Sequence, residues 1–150
     1  MPDLDFCLGS DHAGLELKVI LGAQLQELGY NIQDLGTQTQ KSCHYPYYAA
    51  LVCRQVLDQN CLGLLVCGTG LGMSMSANRF PGIRAALCTN EFAARMAREH
   101  NNANILCLGS RVIGVDLAQS ILQAFLQARF QAGRHQERVQ LMDELPAGAA

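Results

Sequence analysis

Residues 62–74 read LGLLVCGTGLGMS, an apolar run that passes into a loop with a glycine at every second position. The run at 62–67 has no charged side chain to face solvent, which is typical of a strand buried on both faces of a parallel sheet. A helix is predicted directly after the loop, near 72–79. A buried strand that leads through a short loop into a helix indicates an α/β fold.

Short apolar runs alternate with segments of helical period along nearly the whole chain. The predicted strands lie near 4–9, 30–35, 62–67, 83–88 and 104–108, and the helices near 14–28, 46–59, 72–79, 90–99, 115–128 and 134–144. This order predicts a doubly wound α/β fold: a five-stranded parallel sheet with helices on both faces, as in a Rossmann-like sandwich. We expect one domain over 1–150, with a frayed tail at 145–150.

The composition argues for an ordered globular chain and against several classes of partner. Residues are 49% hydrophobic and 16% charged, and the net charge is -2. That charge gives no general attraction to nucleic acid or to an anionic membrane, so a bound anion must meet a local cluster of bases. The N-terminal sequence MPDLDFCLGS is acidic and lacks the apolar length of a signal peptide or membrane span, so export is not expected.

The cysteines are scattered, without a Cys-x-x-Cys pair, which favours free thiols in a reducing cytoplasm over disulfides or a zinc site. Those predicted to be inert core residues are Cys7, Cys53, Cys61, Cys88 and Cys107. Cys67 differs because it ends a strand beside the glycine loop, where backbone dipoles favour a thiolate that could act as a base.

Polar residues cluster in loops after the first, third and fifth predicted strands, and ligands bind at this carboxyl edge in such sheets. The clusters are Ser10-Asp11-His12, the loop at 67–74 and Gly109-Ser110-Arg111. Alternating glycines can turn several backbone N–H groups toward one anion, although they also occur in ordinary tight turns. We expect His12 and His100 to face this same edge, where histidines could transfer protons.

Other charged residues leave alternatives open. Arg111, Arg134 and Arg138 could bind a phosphate through their guanidinium groups, while the last two could instead form a solvated helix face paired with Glu137. In the helix at 14–28, Lys18 is predicted to face water. The loop lacks both the G-x-G-x-x-G spacing and a Walker lysine, so a nucleotide-binding module is the weaker alternative.

Seven segments occur in an order that resembles the ribose-5-phosphate isomerase B family, which also includes isomerases for allose and galactose phosphates. They are GSDHAG (9–14), DLGT (34–37), YPYYA (45–49), CGTGLGMSMSANR (67–79), GIRAALC (82–88), EHNNANILCLGSR (99–111) and GRHQERV (133–139). The resemblance implies that ribose 5-phosphate and ribulose 5-phosphate are interconverted through an enediolate, without metal or organic cofactor. It also implies a homodimer with active sites between the subunits.

The resemblance implies a role for each matching residue. Cys67 would move a proton between two carbons, and His100, assisted by Asp11 or His12, would open the furanose ring, with action across the subunit interface as one option. Asn101 would hold a sugar hydroxyl. The negative oxygen would be stabilised by the loop residues Gly68, Thr69, Gly70, Leu71 and Gly72. The phosphate would be bound by His12, Arg111, Arg134 and Arg138.

Two positions bear on the choice of base and of substrate. One subgroup of the family uses a glutamate just after the glycine loop in place of the cysteine, and residues 73–76 offer no carboxylate here, which favours the cysteine. The family commonly has Asp where this chain has His44, which leaves the sugar open. An isomerase of allose 6-phosphate or galactose 6-phosphate, and a sugar-phosphate sensor without turnover, remain alternatives.

Overall fold

The computed structural model describes residues 4–146. Its five strands are β1 (Phe6–Ser10), β2 (Ile32–Asp34), β3 (Leu62–Cys67), β4 (Ala85–Leu87) and β5 (Ile105–Gly109). All pair in parallel, in the order β2-β1-β3-β5-β4. The predicted five-stranded parallel sheet is therefore confirmed, with shorter strands at its two outer positions.

Helices cover both faces of the sheet, as predicted. They are α1 (Leu15–Glu27), α2 (Tyr45–Gln59), α3 (Leu71–Ala77), α4 (Glu91–Glu99), α5 (Val115–Gln127) and α6 (Arg134–Asp143). α1, α4 and α5 pack on one face, and α2 and α3 pack on the other. No helix within residues 4–146 is both long and apolar enough to cross a membrane. Residues 147–150 of the predicted tail lie outside the described residues.

The central strand β3 shows why its sequence is apolar throughout. Leu64 and Val66 belong to the core beneath α1 and α5, whereas Leu65 and Cys67 belong to the core beneath α2 and α3. Consecutive side chains of a strand point to opposite faces, so a strand covered on both faces has no position for a charged residue.

Three loops meet at the carboxyl edge of the sheet, where the chain leaves β1, β3 and β5. Ser110 donates its backbone N–H to the carbonyl of Cys67 over 2.9 Å, and Arg111 donates to the carbonyl of Gly68 over the same distance. The Ser110 hydroxyl donates to the carbonyl of Ala13 at 2.8 Å. These bonds hold the loops after β1, β3 and β5 together, beside the point where the strand order reverses around β1.

The opposite, amino edge carries the end of α4 and the whole of α6. The backbone N–H of Gly63 bonds to the carbonyl of Asn104 at 2.8 Å, and that of Asn104 bonds to the carbonyl of Arg84 at 3.0 Å. α6 joins this edge through an ion pair of 3.1 Å between Arg84 and Asp143. The starts of β3, β4 and β5 and the C-terminal helix are thus one connected region.

The prediction that Lys18 faces water is wrong. Lys18 is fully buried, and its Nζ donates to Asp34 Oδ1 at 2.8 Å and to the carbonyl of Thr37 at 2.9 Å. The Thr37 N–H in turn bonds to the carbonyl of Ser10 at 3.2 Å. A buried ammonium needs such partners to offset its lost hydration, and here they fix the loop after β2 against the end of β1.

Candidate active site

Cys67 lies at the carboxyl end of β3, with only 4% of its surface exposed. Its Sγ accepts a hydrogen bond of 3.1 Å from the backbone N–H of Gly70. Gly70 has a φ of 77°, in the left-handed region that glycine adopts without strain. A Cβ on Gly70 would also lie 2.5 Å from Leu87 Cδ1. The turn therefore requires glycine, and it aims a backbone donor at the sulfur, where negative charge on a thiolate would form.

Two other glycines of the loop allow side chains of the protein itself to approach. A Cβ on Gly72 would lie 2.4 Å from the ring of Tyr45, and one on Gly68 would lie 3.2 Å from a terminal nitrogen of Arg111. Sequence reasoning related these glycines to a ligand and gave Tyr45 no role. The sequence could have indicated that Tyr45 lies near the glycine loop. Tyr45 begins the helix after β2, and that helix begins at the same edge of the sheet as the loop.

Asp11 and His12 follow β1 at the same edge. Asp11 is 6% exposed, and its Oδ1 accepts from the backbone N–H of Gly14 at 3.0 Å. His12 Nδ1 accepts from the backbone N–H of Cys43 at 3.2 Å. Because Nδ1 accepts, the neutral His12 ring carries its proton on Nε2, and that N–H can donate to an anion.

Thr69 and Arg111 complete this group of residues. Thr69 is exposed at the tip of the glycine loop, and its Oγ1 accepts from the backbone N–H of Leu71 at 3.3 Å. Arg111 is exposed, and its guanidinium lies over Gly68. We call Asp11, His12, Tyr45, Cys67, Thr69 and Arg111 the carboxyl-edge group. It combines a thiol, a carboxylate, hydrogen-bond donors and a guanidinium, which suits proton transfer on an anionic substrate.

The cysteines predicted to be inert are core residues, so that prediction is confirmed. Burial is the main cause that raises the pKa of Cys7 and of Cys53 from 9.0 to about 12, and it raises the pKa of Cys88 to about 11. Burial also raises the pKa values of Cys61 and Cys107. These thiols stay protonated at neutral pH. Within residues 4–146, no group of three or more histidine, cysteine, aspartate or glutamate side chains could hold a metal ion.

The structure contradicts the expectation that His100 faces the same edge of the sheet as His12. His100 caps the C-terminal end of α4, which runs back from the carboxyl edge to the amino edge. Nine helical residues advance by about 13 Å at the rise of an α-helix. The expectation was wrong because a helix that follows a parallel strand returns across the sheet, so its last residue lies at the opposite edge.

The remaining predicted site residues lie with His100. Its ring stacks on that of His135, with centroids 4.1 Å apart and planes 10° apart. Arg134 and Arg138 lie on α6 beside His135, and Asn101 follows His100 in the loop after α4. We call His100, Asn101, Arg134, His135 and Arg138 the amino-edge group.

Arg134 and Arg138 do not form the predicted alternative pairs with Glu137. The ion pairs among residues 4–146 are Lys18–Asp34 and Arg84–Asp143. Both arginines are exposed on α6, so their charges remain available to an anion. The predicted site residues therefore form two groups within one chain, and these groups lie at opposite ends of the strands.

Known proteins with similar sequences and structures include several that are named as ribose-5-phosphate isomerases. A family model described as Ribose/Galactose Isomerase matches residues 6–142. Ribose-5-phosphate isomerase B of Escherichia coli (strain K12) is 44% identical over 133 residues, which are 88% of this chain and 89% of that protein. Ribose-5-phosphate isomerase B of Clostridium thermocellum is 48% identical, with a TM-score of 0.92 over 94% of this chain and 96% of that chain.

A further solved structure contains a sugar phosphate. Ribose-5-phosphate isomerase B of Mycoplasma genitalium, with bound ribulose-5-phosphate, is 40% identical to this chain. Its TM-score is 0.91, over 94% of this chain and 95% of that chain.

Proposed function

The chain belongs to the ribose/galactose isomerase family, and on that premise we propose that it interconverts D-ribose 5-phosphate and D-ribulose 5-phosphate. The observation that carries the proposal is the position of Cys67, at a strand end with its Sγ 3.1 Å from the Gly70 nitrogen. A thiolate held there can act as the base of an aldose–ketose isomerisation. The relatives named as ribose-5-phosphate isomerases support the choice of sugar.

The proton transfer follows from the carboxyl-edge group. Cys67 takes the proton from C2 of the open-chain aldose and returns it to C1, while a hydroxyl proton moves from O2 to O1. The enediolate formed in between carries negative charge on oxygen. The backbone N–H groups of residues 68–72 and the Thr69 hydroxyl stabilise that charge, and a donor of this kind contributes about 3 kcal/mol in other enzymes.

The net charge of -2 does not attract a phosphate, so binding of the phosphate depends on a local cluster of basic side chains. His12 offers Nε2–H, since its Nδ1 is occupied by the Cys43 N–H. Arg111 offers a guanidinium above Gly68. Arg134 and Arg138 add two further charges from the amino-edge group, and Asn101 of that group hydrogen-bonds a sugar hydroxyl.

Ring opening requires a second copy of the chain. His100 opens the furanose by proton transfer, assisted by Asp11 or His12, but it lies at the opposite edge of the sheet from Cys67 in its own chain. In a two-fold homodimer, the amino-edge group of each subunit meets the carboxyl-edge group of the other, which completes two identical sites. Exposed Leu71 and Met75 on α3, beside the glycine loop, offer apolar surface for such an interface.

The proposed route takes its base, its hydrogen-bond donors and its phosphate ligands from the chain itself.

All seven cysteines are free thiols. This supports a reducing compartment, and we propose the cytoplasm.

Turnover of ribose 5-phosphate tests the proposal, with Cys67→Ala compared against Cys61→Ala. Both cysteines are buried, and they lie at opposite ends of β3, so Cys61→Ala is a matched control for the loss of a buried thiol. We expect Cys67→Ala to lose about a thousandfold or more in kcat, as when an enzyme loses a group of its catalytic unit, while Cys61→Ala retains activity.

Three outcomes would contradict the proposal in different ways. Activity that survives in Cys67→Ala refutes the assigned base. Turnover of allose 6-phosphate in preference to ribose 5-phosphate moves the substrate to a six-carbon sugar. Binding of either sugar phosphate without turnover by the wild type favours a sensor.

A further inference from the structure

The amino-edge group contains two histidines in parallel contact. The rings of His100 and His135 lie 4.1 Å apart between centroids, with planes within 10° of each other. His100 closes α4, where its backbone N–H bonds to the carbonyl of Met96 at 2.9 Å. His135 lies in the first turn of α6. The contact therefore joins the residue assigned to ring opening to a residue on a different helix, which has no role in the proposed function so far.

Positive charge surrounds the stacked rings. Loss of solvent around the ring lowers the pKa of His135, and the charges of His100, Arg134 and Arg138 lower it further. The other charged side chains on these parts of α4 and α6 are Arg98, Glu99 and Glu137. Glu99 accepts from Gln131 Nε2 at 3.1 Å, and Arg98 donates to the carbonyl of Ala103. Glu137 is exposed.

We propose that His135 is a positioning residue for His100, and that contact with the His135 ring holds the plane of the His100 imidazole. The inference rests on the proposed function, in which His100 opens the furanose. Two imidazolium rings in contact repel each other, so protonation of one ring disfavours protonation of the other. A neutral ring beside a protonated one provides both a proton acceptor and a proton donor, and ring opening needs both steps.

The stack also limits the motion of the His100 side chain. His100 is the cap of its helix and lies beside a loop, so its side chain would otherwise be free to adopt several rotamers. Contact with a flat partner restricts the ring to one plane, and a well-oriented catalytic group acts faster than a mobile one. His135→Phe keeps a flat ring without a charge, and His135→Ala removes both, so the two variants separate orientation from charge.

The first test measures the titration of the His135 ring protons by NMR, without substrate. The chain has four histidines, and His135→Phe identifies the signal by its loss. We expect His100→Asn to raise the titration midpoint of His135, because it removes a like charge that lowers the pKa of His135. Gln136→Ala, an exposed neighbour on α6, leaves it unchanged. An unchanged His135 midpoint in His100→Asn would show that the two rings are not in contact and would overturn the proposal.

The second test measures pH profiles of kcat and KM. We expect His135→Phe to keep a kcat within about twofold of the wild type at pH 8, because the flat ring that orients His100 is retained. His135→Ala loses about tenfold in kcat with little change in KM, because orientation rather than binding is lost. Equal losses in both variants at every pH, or full activity of His135→Ala, would overturn the positioning role.

The two tests also separate this proposal from the proposed function. If the wild type does not isomerise ribose 5-phosphate, the proposed function fails, and the NMR titration still decides whether the rings are coupled. Melting temperatures of all variants, compared with that of Gln136→Ala, exclude loss of folding as the cause.

Discussion

Cys67 and His100 lie at opposite edges of one sheet, at the carboxyl end of β3 and at the end of α4. The proton-transfer residue and the ring-opening residue of the proposed reaction therefore cannot meet within a chain. In the proposed two-fold dimer the two residues would meet across the subunit interface, because the symmetry would bring the carboxyl edge of each subunit to the amino edge of the other.

Subunit mixing gives a direct test of shared sites. Cys67→Ala and His100→Asn are each expected to be inactive, but a mixed dimer carries both changes in one site and neither in the other. Equal amounts, unfolded together and refolded, form mixed dimers in half of the population by random assortment. We expect about a quarter of wild-type activity. Each variant refolded alone is the control, and no recovery in the mixture would contradict shared sites.

The Gly70 turn is expected to be intolerant of a side chain. Gly70→Ala places a Cβ at a φ of 77° and 2.5 Å from Leu87. Left-handed strain and overpacking together are expected to cost about 3 kcal/mol of unfolding free energy. The substitution also disturbs the N–H that bonds Cys67 Sγ, so activity is expected to fall at least tenfold.

Gly29→Ala is the matched control for this prediction. Gly29 has a φ of 89°, and a Cβ added there would meet no atom of the described residues within 4 Å beyond its own chain neighbours. The substitution is expected to cost about 1 kcal/mol from strain alone and to retain activity. Urea denaturation and steady-state kinetics measure both variants, and equal stability losses would show that the contact with Leu87 is unimportant.

The buried ion pair of Lys18 is expected to stabilise the loop after β2. Lys18→Met leaves Asp34 without its 2.8 Å partner, and we expect a loss of about 2 to 3 kcal/mol. This expected loss of stability is at or below the loss measured when fully buried ion pairs are broken, because the Asp34 side chain is 30% exposed.

Lys41 provides the control because it is the other lysine of the chain and is exposed. Lys41→Met is expected to change the unfolding free energy by less than about 0.5 kcal/mol. Chemical denaturation compares the two variants, and an equal stability of both would show that Lys18 contributes nothing through Asp34 and Thr37.

Alkaline pH is expected to destabilise the fold through its buried thiols. Burial raises the pKa of Cys53 from 9.0 to about 12, so above pH 9 the unfolded chain loses a proton that the folded chain keeps. The unfolded state then binds fewer protons, and the unfolding free energy falls as the pH rises. From pH 8 to pH 10 this thiol is expected to contribute a loss of about 1.4 kcal/mol.

Denaturation of the wild type and of Cys53→Ala at both pH values, with a reductant present, isolates this contribution. The variant is expected to lose about 1.4 kcal/mol less than the wild type over that interval. Parallel pH dependences of the two proteins would refute the assignment to Cys53.

The sequence by itself determined the order of strands and helices, the layered fold and the loop that holds Cys67. These features depend on local periodicity and on glycines next to an apolar run, which act within a few residues of chain. The burial of Lys18 was not predictable in this way, because helical spacing does not reveal that Asp34 and Thr37 meet its ammonium from another part of the chain.

Only the tertiary structure decided which predicted residues lie together. The order β2-β1-β3-β5-β4, the contact of Tyr45 with Gly72 and the stack of His100 on His135 each join residues far apart in the chain. Return of α4 across the sheet places His100 opposite Cys67, although both belong to segments that resemble one family. Such pairings arise from the packing of whole elements, whose directions and neighbours no short stretch of sequence encodes.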